Sequence, residues 1–344
     1  MKFYDIKSKP FTIYGVRFDK NEGKFTRMDP KVAKTVSENV STLCFNASGG
    51  RVKFSTDSEE IAVRLTYEKK EFYPHISELG TIGCVLSEET ETGERFAHSF
   101  YPGCLYNLSA EILENGYEVN AKVGDGTMKN YVLYFPNYND VKSIEIGVLE
   151  NATVKEGKPY KLPLPILYYG SSITQGACAG RPDTCYTALI SKWNGIDYKN
   201  LGFSGSALGE KEIAEYLAEE KCCLFVCDYD YNAPTAEHLK NTHYRLYETF
   251  RKKNPDVPIL FVTAAYTPNG HREIEERVAV IKNTYKTAKR KGDKNVYFLD
   301  GRTFFKKEDY GIVTVEGLHP NDTGFYFMAK AIYKAMCKID KKFM

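Results

Sequence analysis

Residues 166–176 read Ile166-Leu167-Tyr168-Tyr169-Gly170-Ser171-Ser172-Ile173-Thr174-Gln175-Gly176. Ile166 to Tyr169 form a short apolar run, and the seven that follow are mostly small or polar. An apolar run this short, closed by glycine, reads as a strand of a parallel sheet, where burial on both faces erases the polar–apolar alternation. Ser172 then stands where that strand ends and a helix begins, at the end where N–H groups and the helix dipole face outward. The same pattern recurs down the chain in Asp197 to Leu201, Cys222 to Cys227, Ile259 to Thr263 and Val296 to Asp300. Helical spacing fills the gaps: Ile274, Val278, Ile281, Tyr285 and Ala288 step by four and three, as do Phe325, Met328, Ala329, Ile332, Tyr333 and Met336. Each stretch has one apolar stripe to lay on a sheet. Strand and helix in alternation predict an α/β fold, a three-layer doubly wound parallel sheet, whose ligands bind beyond the carboxyl ends of the strands.

Upstream the pattern changes. Ile61, Val63, Leu65 and Ile144, Ile146, Val148 alternate with the strand period of two, which places them on one face. Turn signals separate such runs: Asn21-Glu22-Gly23, Ser48-Gly49-Gly50, Glu91-Thr92-Gly93, Glu114-Asn115-Gly116 and Gly124-Asp125-Gly126. Several short strands without a long helix predict an antiparallel β-sandwich, jelly-roll-like, over residues 1–155. Lys155 to Pro165, with Gly157, Pro159, Pro163 and Pro165, reads as the linker to an α/β domain over 156–344.

Composition excludes several classes. The 344 residues exceed the length at which one core stops growing, which agrees with two domains. Lys+Arg 47 against Asp+Glu 45 leave a formal charge of +2, with no electrostatic footprint for nucleic acid or an anionic membrane. The basic runs Arg251-Lys252-Lys253 and Lys289-Arg290-Lys291 fall at helix ends, where they favour the dipole and solvent. No apolar run approaches the roughly 20 residues of a membrane helix. Met1 to Pro10 lacks the pattern of a secretory signal, and nine cysteines are an odd number, so the expectation is a cytoplasmic chain with free thiols. Cys222, Cys223 and Cys227 have no CxxC pair and no nearby histidine, so no metal is expected. Gly202, Gly205 and Gly209 lack the dinucleotide spacing, and no cofactor is expected. His75, His98, His238, His243 and His271 have no motif partner.

Four strand-end loops carry polar residues that belong together. They are Gly170 to Gly176; Asn200-Leu201-Gly202-Phe203-Ser204-Gly205; Asp228-Tyr229-Asp230-Tyr231-Asn232; and Glu316-Gly317-Leu318-His319-Pro320-Asn321-Asp322. Together they supply a hydroxyl nucleophile, small residues with backbone N–H groups, an amide donor and a histidine base. A serine hydroxyl needs a base to take its proton as it attacks, and histidine has the pKa for that work. Singly, Ser172 reads equally well as a helix cap, Gly205 as a turn residue and Asn232 as a loop residue. Four such loops at successive strand ends read as a site.

Over residues 160–340 these blocks, in this order, resemble the SGNH hydrolases, the GDSL-type esterase superfamily, with a flavodoxin-like sheet. The resemblance implies Ser172 as nucleophile, the Ser172 and Gly205 backbone and the Asn232 amide as oxyanion donors, and His319 as base. Two positions depart from the family pattern: Ser171 replaces the Asp before the nucleophile, and Glu316 replaces the Asp three residues before the histidine. Tyr169 to Gly176, followed by Arg181-Pro182, looks like a branch that carries an N-terminal β-sandwich. That branch implies a serine esterase acting on short acyl groups, acetyl above all, on a sugar or glycoside. The loops hold no long apolar stretch for an acyl tunnel or lid, which points to acetyl through butyryl groups. Acyl transfer by the same triad and a carbohydrate-binding protein with an inactive hydrolase half are the alternatives. The small-molecule ester is the expected partner, and the sequence does not report an oligomeric state.

Overall fold

Ile61, Val63 and Leu65 lie opposite Val148, Ile146 and Ile144 on neighbouring antiparallel strands, so the two alternating runs of the sequence pair residue for residue. All six side chains are fully buried in one core, each burial contributing about 1.5–3 kcal/mol before chain entropy is subtracted. A computed structural model describes residues 1–68, 73–102, 116–270 and 273–344. Cys104, Glu114, Asn115 and His271 lie outside the described residues.

The chain divides into two compact units. The first comprises Met1–Arg27, Phe45–Lys161 and Gly180–Asp183. Its strands are β1 (Lys2–Asp5), β2 (Thr12–Tyr14), β3 (Arg17–Asp19), β4 (Lys24–Thr26), β5 (Arg51–Thr56), β6 (Glu60–Tyr67), β7 (Cys84–Thr90), β8 (Gly93–Phe100), β9 (Tyr117–Lys122), β10 (Lys129–Tyr134), β11 (Val141–Val148) and β12 (Val154–Glu156). One antiparallel sheet has the order β1-β11-β6-β9; the other has β12-β5-β10-β7-β8, with β2 also on β5. Val52, Phe54, Leu86, Tyr131 and Leu133 of the second sheet join the six aliphatic residues of the first in a single core, which makes the unit the expected sandwich.

The second unit comprises Met28–Cys44, Leu162–Ala179 and Thr184–Met344. Its parallel sheet consists of β13 (Ile166–Gly170), β14 (Tyr198–Gly202), β15 (Leu224–Asp228), β16 (Ile259–Val262) and β17 (Val296–Leu299), in the order β14-β13-β15-β16-β17. This is the doubly wound order in which the chain reverses direction between the first and third strands, opening a crevice at their carboxyl ends. Among the described residues, helix Tyr186–Asn194 packs with Asp322–Ile339, and Lys211–Glu219, Ala236–Lys253 and Ile274–Arg290 pack in series.

The structure departs from the sequence reading at the linker. Val154–Glu156 is a strand on the edge of β5, and Tyr160 packs edge-on against Tyr14, so residues through Lys161 belong to the sandwich. Three residues are too few to show a period, and edge pairing needs only their backbone. Residues 28–44 depart too, forming two short helices, Pro30–Val36 and Glu38–Leu43, that belong to the α/β unit. Their caps are local: Asp29 accepts the Lys31 N–H, and Ser37 accepts the Val40 N–H. Their assignment is not local, because it depends on contact with the Lys211–Glu219 helix.

Candidate active site

Strand β13 delivers Ser172, and two glycines, Gly170 at its end and Gly202 at the end of β14, let three strand ends crowd together. A Cβ at Gly170 would lie 2.0 Å from Thr174 Oγ1 and 2.4 Å from the Asp228 carbonyl oxygen; one at Gly202 would lie 2.2 Å from the Gln175 nitrogen. Either would push β14 or β15 off the nucleophile turn. That turn is the four-residue helix Ser172–Gln175, capped at its start by Ser171, whose hydroxyl accepts the Ile173 N–H at 3.2 Å. Ser171 is buried with its oxygen so engaged, whereas Ser172 is half-buried and lines an open cleft of about 340 Å³. Asn232, His319, Gly205, Ser204 and Tyr231 line the same cleft.

Ser172 Oγ lies 2.9 Å from His319 Nε2. His319 Nδ1 bonds Glu316 Oε1, and the Glu316 carboxylate also accepts the His319 backbone N–H, at 3.3 Å to each oxygen. Serine, histidine and carboxylate are therefore in hydrogen-bonded series, the acid reaching the ring from three residues upstream. The loop holding them is closed by the Val315 N–H, which donates to the His319 carbonyl at 2.9 Å. Asn269, in the segment after β16, anchors it, its Nδ2 donating to the Glu316 carbonyl at 2.8 Å and its N–H to the Gly317 carbonyl at 2.8 Å.

On the other wall, the Asn232 amide sits with Oδ1 accepting the N–H groups of Gly205 (2.6 Å) and Ser206 (2.8 Å), which turns its Nδ2 donors to the opposite side. The Gly205 N–H thus has an acceptor within the protein. Arg277, 2% exposed, braces this loop from the Ile274–Arg290 helix, donating to the Asp230 and Ala233 carbonyls at 2.7 and 2.8 Å.

Beneath the nucleophile turn, Asp228 Oδ2 lies 3.2 Å from Thr174 Oγ1 and 3.2 Å from the Tyr186 hydroxyl, all buried. Burial, with the Asp230 carboxylate adding to it, holds the Asp228 carboxyl well above the usual carboxylate range. Asn200 completes the support, donating to the Thr174 carbonyl at 2.6 Å and accepting the Gly202 N–H at 2.9 Å. Cys178 is buried three residues after the turn, and burial with the Glu316 charge pushes its thiol up to about 12. It is therefore a poor nucleophile near neutral pH. Asp228 and Asn200 stand within the strand-end blocks with no role assigned to them by the sequence, and Asn269 falls outside all four blocks.

A parallel sheet of this order, with serine, histidine and carboxylate in series at its carboxyl edge, defines an ester hydrolase of the SGNH type. The chain belongs to the GDSL-like lipase/acylhydrolase family, whose model matches residues 164–337, and residues 1–154 match the GxDLY model, the N-terminus of SGNH-hydrolase-type esterases. The chain is similar to a protein of Bacteroides ovatus classed as a GDSL-like lipase, at 28% identity and TM-score 0.85, over 98% of this chain and 97% of that one. It is similar to SsfX3, a salicylyl-acyltransferase of a tetracycline biosynthetic pathway, at 17% identity and TM-score 0.78, over 98% and 97%. It is also similar to a family two carbohydrate esterase from Clostridium thermocellum solved with cellohexaose, at 13% identity and TM-score 0.65, over 97% and 100%. At the identities of the last two, the likeness is one of fold. A search of curated proteins finds no match. Among the described residues no helix is long and apolar enough to cross a membrane.

Proposed function

We propose that this enzyme hydrolyses short-chain acyl esters, acetyl esters above all, of a carbohydrate or glycoside through an acyl-serine intermediate. The observation that carries this reading is the 2.9 Å contact of Ser172 Oγ with His319 Nε2, in series with Glu316. In it, His319 takes the Ser172 proton as the oxygen attacks the ester carbonyl, then gives that proton to the departing alcohol oxygen; water repeats the cycle on the acyl-serine. Glu316 holds the ring in the tautomer whose Nε2 is free to accept. Negative charge on the tetrahedral oxygen is met by the Ser172 N–H, the Asn232 amide and the Gly205 N–H, the last turning from Asn232 Oδ1, which keeps the Ser206 N–H. Asn232→Ala is expected to lower kcat on the order of 10²–10³ with KM little changed; steady-state kinetics check this, and a change confined to KM would move Asn232 to substrate binding.

The carbohydrate assignment draws on the family two carbohydrate esterase with the same fold, and the short acyl group on the absence of a long apolar run in the strand-end loops. A series of p-nitrophenyl esters of rising chain length, with acetylated sugars beside them, tests both. Acetyl through butyryl esters should show the highest kcat/KM, and faster turnover of octanoyl esters would overturn the chain-length reading. Acyl transfer is the second reading, favoured by the likeness to SsfX3. Product analysis with a sugar acceptor present separates the two, since a transferase forms the new ester in preference to the free acid. Ser172 and His319 in hydrogen-bonded contact weigh against an inactive binding module. We place the enzyme in a reducing, cytoplasmic compartment, a reading supported by its odd count of nine cysteines.

A further inference from the structure

The histidine side of the site carries an apolar rim that the chemistry above does not use. Tyr266 is 44% exposed and stacks on Tyr310, ring centroids 5.2 Å apart and planes 30° apart. Ile312 and Val315 are 60% and 49% exposed. One exposed apolar side chain is ordinary, but several brought together on two segments call for an occupant.

The backbone ties these segments to the site. The residue before Tyr266, Ala265, accepts the hydroxyl of Tyr231, a wall of the cleft, at 2.9 Å. Three residues after Tyr266, Asn269 bonds the Glu316 and Gly317 carbonyls. Val315 bonds His319, and Asn321 Nδ2 donates to the Ile312 carbonyl at 2.8 Å. Tyr266 is thus bracketed between the cleft wall and the loop of Glu316 and His319, and residues 310–315 run beside residues 319–321.

The reaction gives this rim a direction. When the Ser172 Oγ–carbon bond forms and the ester C–O bond breaks, His319 Nε2 delivers the Ser172 proton to the alkoxide oxygen, so the alcohol leaves on the histidine side while the acyl oxygen faces Asn232. We infer that Tyr266 and Tyr310 form a platform for a sugar ring in the alcohol half of the substrate, an inference that rests on the esterase reading. Two phenol rings at an open rim offer flat apolar surface edged by hydroxyls, which matches a pyranose with its C–H face and hydroxyl edge. A long aliphatic alcohol would call for an enclosed apolar groove.

The test has a kinetic and a binding arm. In the first, kcat/KM for an acetylated methyl xylopyranoside and for ethyl acetate is measured with Tyr266→Ala, Tyr310→Ala and Tyr266→Phe. The sugar-ester to ethyl-acetate ratio should fall about tenfold in both alanine variants, mostly through KM, and recover in Tyr266→Phe, which keeps the ring. An unchanged ratio, or a selective loss on hexyl acetate instead, would overturn the platform. In the second, xylotriose is titrated calorimetrically into Ser172→Ala and into the same chain carrying Tyr266→Ala or Tyr266→Phe. Saturable binding weakened about tenfold by alanine and spared by phenylalanine supports the platform; no binding, or binding indifferent to Tyr266, overturns it. Because this arm needs no turnover, a chain that hydrolyses neither ester yet loses xylotriose on Tyr266→Ala would sink the esterase reading and keep the platform.

Discussion

Ser172→Ala is expected to reduce kcat by a factor on the order of 10⁶, the scale seen when a serine hydrolase loses its nucleophile, while thermal unfolding stays within about 0.5 kcal/mol of the parent. The substitution removes one half-buried oxygen at the first position of a helical turn, and the turn's own bonds are untouched: the Gln175 N–H still reaches the Ser171 carbonyl and the Gly176 N–H the Ser172 carbonyl. Ser171→Ala is the matched control. It deletes the cap on Ile173, worth about 1 kcal/mol, and leaves the Ser172–His319 contact in place, so stability should drop while most activity remains. Kinetics and melting of the pair decide the matter, and an active Ser172→Ala beside a dead Ser171→Ala would show that the neighbouring serine does the chemistry.

Glu316→Gln is expected to cost up to about 10⁴ in kcat, since it keeps the side chain's shape and removes the charge that stabilises the imidazolium and selects the tautomer. Glutamine retains an oxygen for the His319 backbone N–H, and Asn269 still anchors the Glu316 and Gly317 carbonyls, so the loop should keep its course. A loss below tenfold, less than about 1.4 kcal/mol of barrier, would mean that His319 is oriented by something other than Glu316 and that a Ser172–His319 dyad suffices.

How much of this was legible in the sequence follows from how local each cause is. Ile166 to Tyr169 announced β13 because burial on both faces demands an unbroken apolar run, and Ile61, Val63 and Leu65 announced β6 because burial on one face demands alternation. The site blocks were legible for a related reason. A sheet of this kind presents residues at its strand ends, so Ser172 and Asn232 are marked by the apolar runs of β13 and β15 before them, whereas the loop of His319, 20 residues past the end of β17, is marked by the helix that follows it. The strand at residues 154–156 went unread and residues 28–44 were placed in the sandwich because a three-residue edge strand has no period and two short helices name no partner.

The sequence by itself determined the two fold classes, the order of the strands along the chain and the residue types available at the carboxyl edge of the parallel sheet, because periodicity and turn chemistry act over a few residues. Only the tertiary structure decided what those residues do to one another. Ser172 and His319 are 147 positions apart, and their contact depends on Gly170 and Gly202 admitting the neighbouring strands and on Asn269, in the segment after β16, holding the loop of His319. The engagement of the Gly205 N–H by Asn232 and the stacking of Tyr310 on Tyr266 were likewise out of reach, since each joins side chains or backbone from separate loops. Hydrogen bonds and ring contacts act over a few ångströms of space, and packing, rather than spacing along the chain, brings their partners within that range.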